Sequence, residues 1–287
     1  MPSNIGEGGG VRSVQRAFDI LSLLSEDRRT LTIREVVDET GLAKTTALRL
    51  LQTLEHMGLL WATPKGFTAG PALWRWAHLA RSAWELPAET VQLMRELGAR
   101  HRETVNLYVP RDVRRICIAQ QESPQPLRHV VRVGDELPLW AGASSKVLLI
   151  QAPERLLVRV ARSSPYGEAH VATLRAWIGR AAHDGYAASH GEREPGLSAV
   201  AVPITVPITV PITVPITGPV TSAGAVTSAG AVSTGSTVGG GGRAAVAALT
   251  LSGPTVRFTE DRVREFAADL REAAKRMSER GFDHPLT

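Results

Sequence analysis

Residues 31–67 read LTIREVVDETGLAKTTALRLLQTLEHMGLLWATPKGF, and the fold of the first part of the chain follows from them. Thr32 and Glu35 stand at capping-box spacing, and Leu31 and Val36 take the two positions of a hydrophobic staple, so a helix opens at Ile33. Gly41 and Leu42 interrupt it before a second periodic run over residues 43–55. There Ala47, Leu50, Leu51 and Leu54 recur at i, i+3, i+4 and i+7, the spacing of one buried helical face. The opposite side carries Thr45, Arg49, Gln52 and Thr53, with Thr46 on its flank and Lys44 at its start. These side chains donate to or accept from base edges, and two are cationic. Gly58 stops the helix, residues 59–61 read as a strand, and Thr63-Pro64-Lys65-Gly66 forms a tight turn into a return strand at Phe67. Short helix, Gly-Leu turn, Lys-Thr-Thr helix and basic wing, in that order, predict a winged helix-turn-helix that binds DNA. An ordinary amphipathic hairpin with a solvated polar face shares the stripe but lacks the order.

The chain has 287 residues, too many for one winged unit and suited to two domains. Its net charge of +5 fits a nucleic-acid partner without requiring one. Residues 1–82 hold ten Arg or Lys against eight Asp or Glu, so any signal for DNA lies in placement. A single cysteine, Cys117, excludes an internal disulfide and a multi-cysteine zinc site; within its apolar run a buried, inert thiol is expected. The first residues lack a signal-peptide pattern and no run of 18 residues is apolar throughout, so a soluble cytoplasmic protein without a membrane partner is expected.

Outward from the winged stretch, residues 1–10 have no apolar periodicity and read as a mobile arm. Val14, Ala17, Phe18, Leu21 and Leu24 mark a first helix, with Arg12 and Arg16 near its start in reach of phosphate. The winged unit is assigned to residues 11–70. Residues 71–85 form a connecting helix, with Leu73, Trp76, Ala77, Ala80, Ala83 and Trp84 on one side. Trp74, Trp76 and Trp84 present more aromatic surface than one short helix hides, which points to packing between copies of the chain, the alternative being a core between the two domains.

Residues 86–287 are assigned to a second domain. A helix from Pro87 carries Val91, Met94, Leu97 and His101. Strands are expected at 104–109, 116–121, 129–133, 199–202 and 244–251, and helices at 142–151, 174–184 and 259–280, the last ended by Gly281. Strands and helices without regular βαβ alternation predict an α+β domain around a mostly antiparallel sheet. Residues 203–242 break the order: Pro-Ile-Thr-Val occurs three times in succession from Pro203, then Pro-Ile-Thr-Gly, two copies of Val-Thr-Ser-Ala-Gly-Ala, and Gly239 to Gly242. Proline every fourth residue removes the amides that a ladder needs, so an extended, then flexible, insertion is expected there.

Taken together, these motifs resemble the IclR (isocitrate lyase regulator) family of bacterial transcription factors. The resemblance is carried by Arg16-Ala17-Phe18-Asp19-Ile20-Leu21 and Gly41-Leu42-Ala43-Lys44-Thr45-Thr46-Ala47-Leu48-Arg49-Leu50-Leu51. In the second domain it is carried by Thr104-Val105-Asn106-Leu107, Val131-Arg132-Val133-Gly134, Ala143-Ser144-Ser145-Lys146-Val147-Leu148-Leu149 and Glu192-Arg193-Glu194-Pro195-Gly196-Leu197. It implies a dimer or tetramer that binds operator DNA through the first domain. It further implies a GAF-like second domain that binds a small effector, usually an organic or aromatic acid, without a cofactor. Carried over position by position, the family's pocket falls on Gly142 and Ala143, whose amides would receive a carboxylate, and on Ser189, Leu197, Ala199, Thr250 and Ser252. Ser189 stands where an acidic residue can occur in the family and Ala199 where a cysteine can, departures that imply a different ligand shape or no ligand. The resemblance also places a short turn where the repeat lies. Closing forty residues instead costs roughly a few kcal/mol, since loop entropy grows only logarithmically with length.

No catalytic constellation is present. Ala143 stands where a Ser-x-x-Lys nucleophile would need its serine. His190-Gly191-Glu192 has no Pro-Cys-x-x-Cys after it, and the glycines before Arg243 are followed by no Lys-Ser/Thr. A ligand-responsive transcriptional regulator is expected; the alternative is a metabolite-binding sensory or hydrolase-like protein without specific DNA binding.

Overall fold

The computed structural model describes residues 11–25, 27–83, 85–207, 243–279 and 282. The expected arm at 1–10, Trp84, the repeat from 208 to 242 and Gly281 lie outside the described residues. The described residues fall into two compact units, the first ending at Ala83 and the second holding the described residues from 85 onward.

The first unit runs α1 (Arg12–Leu21), β1 (Thr30–Leu31), α2 (Ile33–Thr40), α3 (Lys44–His56), β2 (Leu60–Thr63), β3 (Gly66–Ala69) and α4 (Ala72–Ala83). The capping box forms as the spacing predicts: the Thr32 hydroxyl accepts from the Glu35 amide at 3.2 Å, and the Glu35 carboxylate accepts from the Thr32 amide at 2.7 Å. Three antiparallel strands in the order β1-β3-β2 make the wing, with Leu31 opposite Phe67 and Trp61 opposite Thr68. Ile20, Leu31, Val36, Ala47, Leu51, Leu54 and Leu60 close the core.

One stripe differs from expectation, and another is left uncovered as its aromatic content implies. On α1, Val14 and Phe18 are exposed and Ile20 is buried, because the inward face follows Ala17, Ile20, Leu21 and Leu24, a helical spacing offset from the one read. On α4 no residue is buried within the unit; Trp74 is 82% exposed, and Trp76 and Leu79 are also open.

The second unit runs α5 (Ala88–His101), β4 (Thr104–Arg111), β5 (Arg114–Gln121), β6 (Glu136–Pro138), α6 (Ala143–Leu148), α7 (Glu154–Arg162), α8 (His170–Asp184), β7 (Ala187–His190), β8 (Leu197–Pro207), β9 (Arg243–Pro254) and α9 (Glu260–Glu279). Its six strands form an antiparallel sheet in the order β6-β5-β4-β9-β8-β7. Side chains alternate across it. Val105, Leu107, Val200, Val202, Leu249 and Leu251 pack with α5 and α9, whereas Tyr108, Cys117, Ala201 and Ala248 pack with α6, α7 and α8. The mixed α+β architecture is the expected one.

The strand expected at 129–133 does not form. A tight turn closes at 132–135, with the Asp135 amide donating to Arg132 O at 3.0 Å and the Arg132 amide donating to the Asp135 carboxylate at 2.8 Å. The chain therefore joins the edge of β5 only from Gly134 onward, where the Gly134 amide donates to Cys117 O at 2.7 Å and the Cys117 amide to Asp135 O at 3.0 Å, and continues into β6. The helix α7 and the strand β7 were not anticipated.

The first copy of the repeat belongs to the sheet: β8 runs through Pro203 and Pro207, paired with Ala248 and Arg243. Thr205, of the same parity, donates its amide away from β9 to Ser278 Oγ at 3.1 Å. Prolines at 203 and 207 therefore lack amides only on the side that needs none for the β8–β9 ladder, which is the position a strand tolerates.

Thr32→Ala removes one half of the capping box. The expected outcome is a loss of roughly 1 kcal/mol in the winged unit, read as a lower urea midpoint of its helical signal.

Candidate functional site

Burying Ala47, Leu51 and Leu54 forces the other side of α3 outward, and Lys44, Thr45, Arg49, Gln52 and Thr53 are all exposed there, with Thr46 half-buried on the flank. The Thr53 hydroxyl donates back to Arg49 O at 2.8 Å, which leaves its oxygen free to accept. Lys65 sits exposed at the tip of the β2–β3 turn, whose shape is held by the Thr63 hydroxyl donating to Gly66 O at 2.8 Å. Arg12 and Arg16 are exposed on α1. The structure thus leaves hydrogen-bond donors and acceptors exposed on α3, a lysine at the tip of the following hairpin and two arginines on α1, the side-chain types that contact base edges and phosphates in helix-turn-helix proteins.

In the second unit the sheet register assembles a polar row. Ser189 lies opposite Ala199 and Ala199 opposite Ser252, while Thr250 lies opposite both Ala201 and Asn106. Of these, Ser189, Ala199, Thr250 and Ser252, with Gly142, Ala143 and Leu197, line one cavity of about 30 Å³. The structure thus gathers all seven residues of the expected pocket. It adds several that the sequence reading does not assign to the pocket: Tyr108, Arg115, His129, Glu192, Arg193 and Glu194.

These additions determine the electrostatics. Glu192 accepts from the Gly142 amide at 3.0 Å and pairs with Lys146 Nζ at 2.5 Å; Lys146 also donates to Ala188 O at 2.8 Å. Arg193 pairs with Glu194 at 2.9 Å and donates to His129 Nε2 at 3.2 Å. Since an arginine only donates, His129 carries its proton on Nδ1 and donates to Ser252 Oγ at 3.0 Å, where Asn106 Nδ2 also donates at 3.1 Å. Burial, reinforced by Arg193, lowers the His129 pKa to about 4. Burial raises the Cys117 thiol to about 12, so it is an inert core group as expected. Burial lowers Arg115 to about 10, which still leaves it cationic at neutral pH.

Glu192 also lines an open groove of about 400 Å³ walled by Trp140, Tyr166, His170 and Trp177. Elsewhere, His101, Glu265 and Asp269 come within metal-ligand range of one another. Arg262 and Arg100 already pair with the two carboxylates, at 2.9 and 3.1 Å, so the cluster reads as an ion-pair network between α5 and α9. No helix among the described residues is long and apolar enough to cross a membrane.

A winged helix-turn-helix with its polar recognition face exposed, in a chain that also carries a sheet domain with a buried polar cavity, defines a DNA-binding transcriptional regulator. Residues 13–63 match the family model described as the IclR helix-turn-helix domain, and residues 79–223 match that of the C-terminal domain of the bacterial transcriptional regulator IclR. The chain belongs to the IclR family. It is 26% identical over 293 residues to the transcriptional regulator KdgR of Escherichia coli, covering 96% of this chain and 95% of that one. The crystal structure of an IclR-family regulator from Rhodococcus is 36% identical, with a TM-score of 0.56, covering 98% and 97% of the two chains. An IclR homologue from Microbacterium hydrocarbonoxydans, solved in complex with 4-hydroxybenzoate, has a TM-score of 0.60 at 21% identity and covers 92% and 99%.

His129 is held neutral well below its ordinary value of 6.5. Between pH 6.5 and about 4 the unfolded chain therefore takes up a proton that the folded chain refuses, and stability falls as pH falls through that window. Urea midpoints measured across it should decline more steeply for the native chain than for His129→Gln, and should differ little in slope above pH 7.

Proposed function

We propose that this regulator binds operator DNA through α3 and the wing, and that a small organic or aromatic acid in the cavity of the second unit modulates that binding. The observation that carries the reading is the convergence of Gly142, Ala143, Ser189, Leu197, Ala199, Thr250 and Ser252 on one buried polar cavity in a chain with a winged helix-turn-helix. The 4-hydroxybenzoate bound by the Microbacterium homologue supports an aromatic acid as the ligand class.

In this reading Thr45, Thr46 and Arg49 read bases, with Gln52 and Thr53 beside them, while Lys44, Lys65, Arg12 and Arg16 contact phosphate. The working form is a homo-oligomer in the cytoplasm. The exposed apolar side chains Val11, Val14 and Phe18 of the α1 region and Trp74, Trp76 and Leu79 of α4 provide the surface for a second copy. A ligand that favours one arrangement of the two winged units of a dimer changes the fit to half-site spacing, and so shifts operator affinity by its differential affinity for the two arrangements.

Gel shifts with the DNA upstream of the gene test this. Arg49→Ala should weaken specific binding by roughly 1–3 kcal/mol and relax discrimination at one base pair. Lys65→Ala should weaken all duplexes alike and reduce the salt slope by about one. Binding to the upstream DNA no tighter than to random duplex would overturn the regulator reading for this chain.

A further inference from the structure

We propose that Arg115, together with the Thr250 hydroxyl, is the seat for the ligand's carboxylate. The proposal rests on reading the cavity as the effector site, and it adds a residue and a charge requirement that the family resemblance does not supply.

The argument begins with charge. Arg115 is 4% exposed and stands on β5, on the same face as Cys117 and opposite Pro110. Its Nη1 donates to three oxygens, Pro138 O, Ala141 O at 3.1 Å and Ser145 Oγ at 2.5 Å, none of which carries a charge. The Nε is buried without a hydrogen-bond partner. Around the same cavity the other ions are matched: Glu192 with Lys146, and Glu194 with Arg193. Among the described residues Arg115 has no carboxylate partner; besides those oxygens it meets only the Tyr108 ring, 5.4 Å from its guanidinium carbon, and a buried cation without a counter-ion is costly.

Geometry points the same way. The Thr250 Oγ1 lines this cavity, is 2% exposed and also lacks a partner. Gly142, at φ +97°, brings its backbone against the guanidinium: a Cβ there would lie 3.2 Å from Arg115 Nη2. A guanidinium and a hydroxyl that are both underused and line the same cavity are the donor set for a carboxylate. Burial lowers the Arg115 pKa only to about 10, so the positive charge persists at every physiological pH.

Size adds a requirement. A cavity of about 30 Å³ accommodates little more than a water molecule. A ring-sized acid therefore seats its carboxylate on Arg115 only as residues 191–196 yield, and Glu192, which walls both the cavity and the aromatic groove, is the side chain that must move.

The test is calorimetry on the full-length chain with 4-hydroxybenzoate, benzoate and acetate, each set against its neutral amide. The native chain should bind at least one acid roughly 10- to 100-fold tighter than the matching amide, the range of a hydrogen bond to a charged group. Arg115→Met should abolish that preference while keeping or raising the melting temperature, since it removes an unpaired buried charge. Arg115→Lys should restore part of it. Should Arg115→Met fail to fold, Thr250→Val serves: a loss of several-fold in acid affinity with an unchanged melting temperature is expected. The proposal is overturned if the native chain binds no acid better than its amide, or if the folded variants keep the native preference. A chain that binds operator but ignores all three acids overturns the carboxylate seat alone. One that takes acids through Arg115 but binds no operator overturns the regulator reading and leaves the seat standing.

Discussion

The second unit depends on the antiparallel pairing of β8 with β9. The side-chain period of a strand is two, so a one-residue slip would carry Ala199 and Ala201 to the α9 face and put Val200 and Val202 under α6. The register is held by burial on both sides: leucine and valine fill the space beneath α5 and α9, while on the other face Ala201 and Ala248 pack into the core under α6, α7 and α8 and the small Ala199 leaves room beside it. That room is the cavity. Its floor exists because the same register sets Ser189, Ala199 and Ser252 in one cross-strand row and Thr250 beside Asn106 in the next.

Around that floor the polar groups form a network with few spare valences. Arg193 orients His129, which donates to Ser252, and Glu192 joins the Gly142 amide to Lys146. In a site of low dielectric each such pairing is stronger than in water, and each missing one costs more. The groups left over, Arg115 and Thr250, therefore mark the chemistry the cavity lacks. Glu192 and Arg193 both lie on the β7–β8 connection, so the loop that closes the cavity is also the one that balances its charge.

The winged unit follows a simpler economy. A small core around Leu31, Leu51 and Leu60 holds three helices and a short sheet, and the polar side of α3 is exposed because the apolar side is consumed. The same accounting leaves α4 unburied. A helix with Trp74, Trp76 and Leu79 in the open is left uncovered by its own unit, a surplus of apolar surface that supports the proposed contact between copies.

Much of this was legible in the chain. Capping-box spacing, the stripe of α3 and the wing turn are local signals: they depend on residues three or four apart, and neighbours in sequence decide them. The alternation of β4 and β9 was legible for the same reason. The misreadings came where local pattern was ambiguous or overridden. Residues 129–133 alternate like a strand, but the Arg132–Asp135 turn ends the extension first. Pro203 and Pro207 look like ladder breakers until the parity shown by Thr205 puts their missing amides on the outer side. By itself the sequence determined the winged helix-turn-helix, the α+β class and, through family resemblance, the list of pocket positions. Only the tertiary structure decided that Arg115, His129 and Glu192 join them, because those residues are brought to the cavity by strand register and loop closure over long sequence separations, where no short-range pattern exists to announce them.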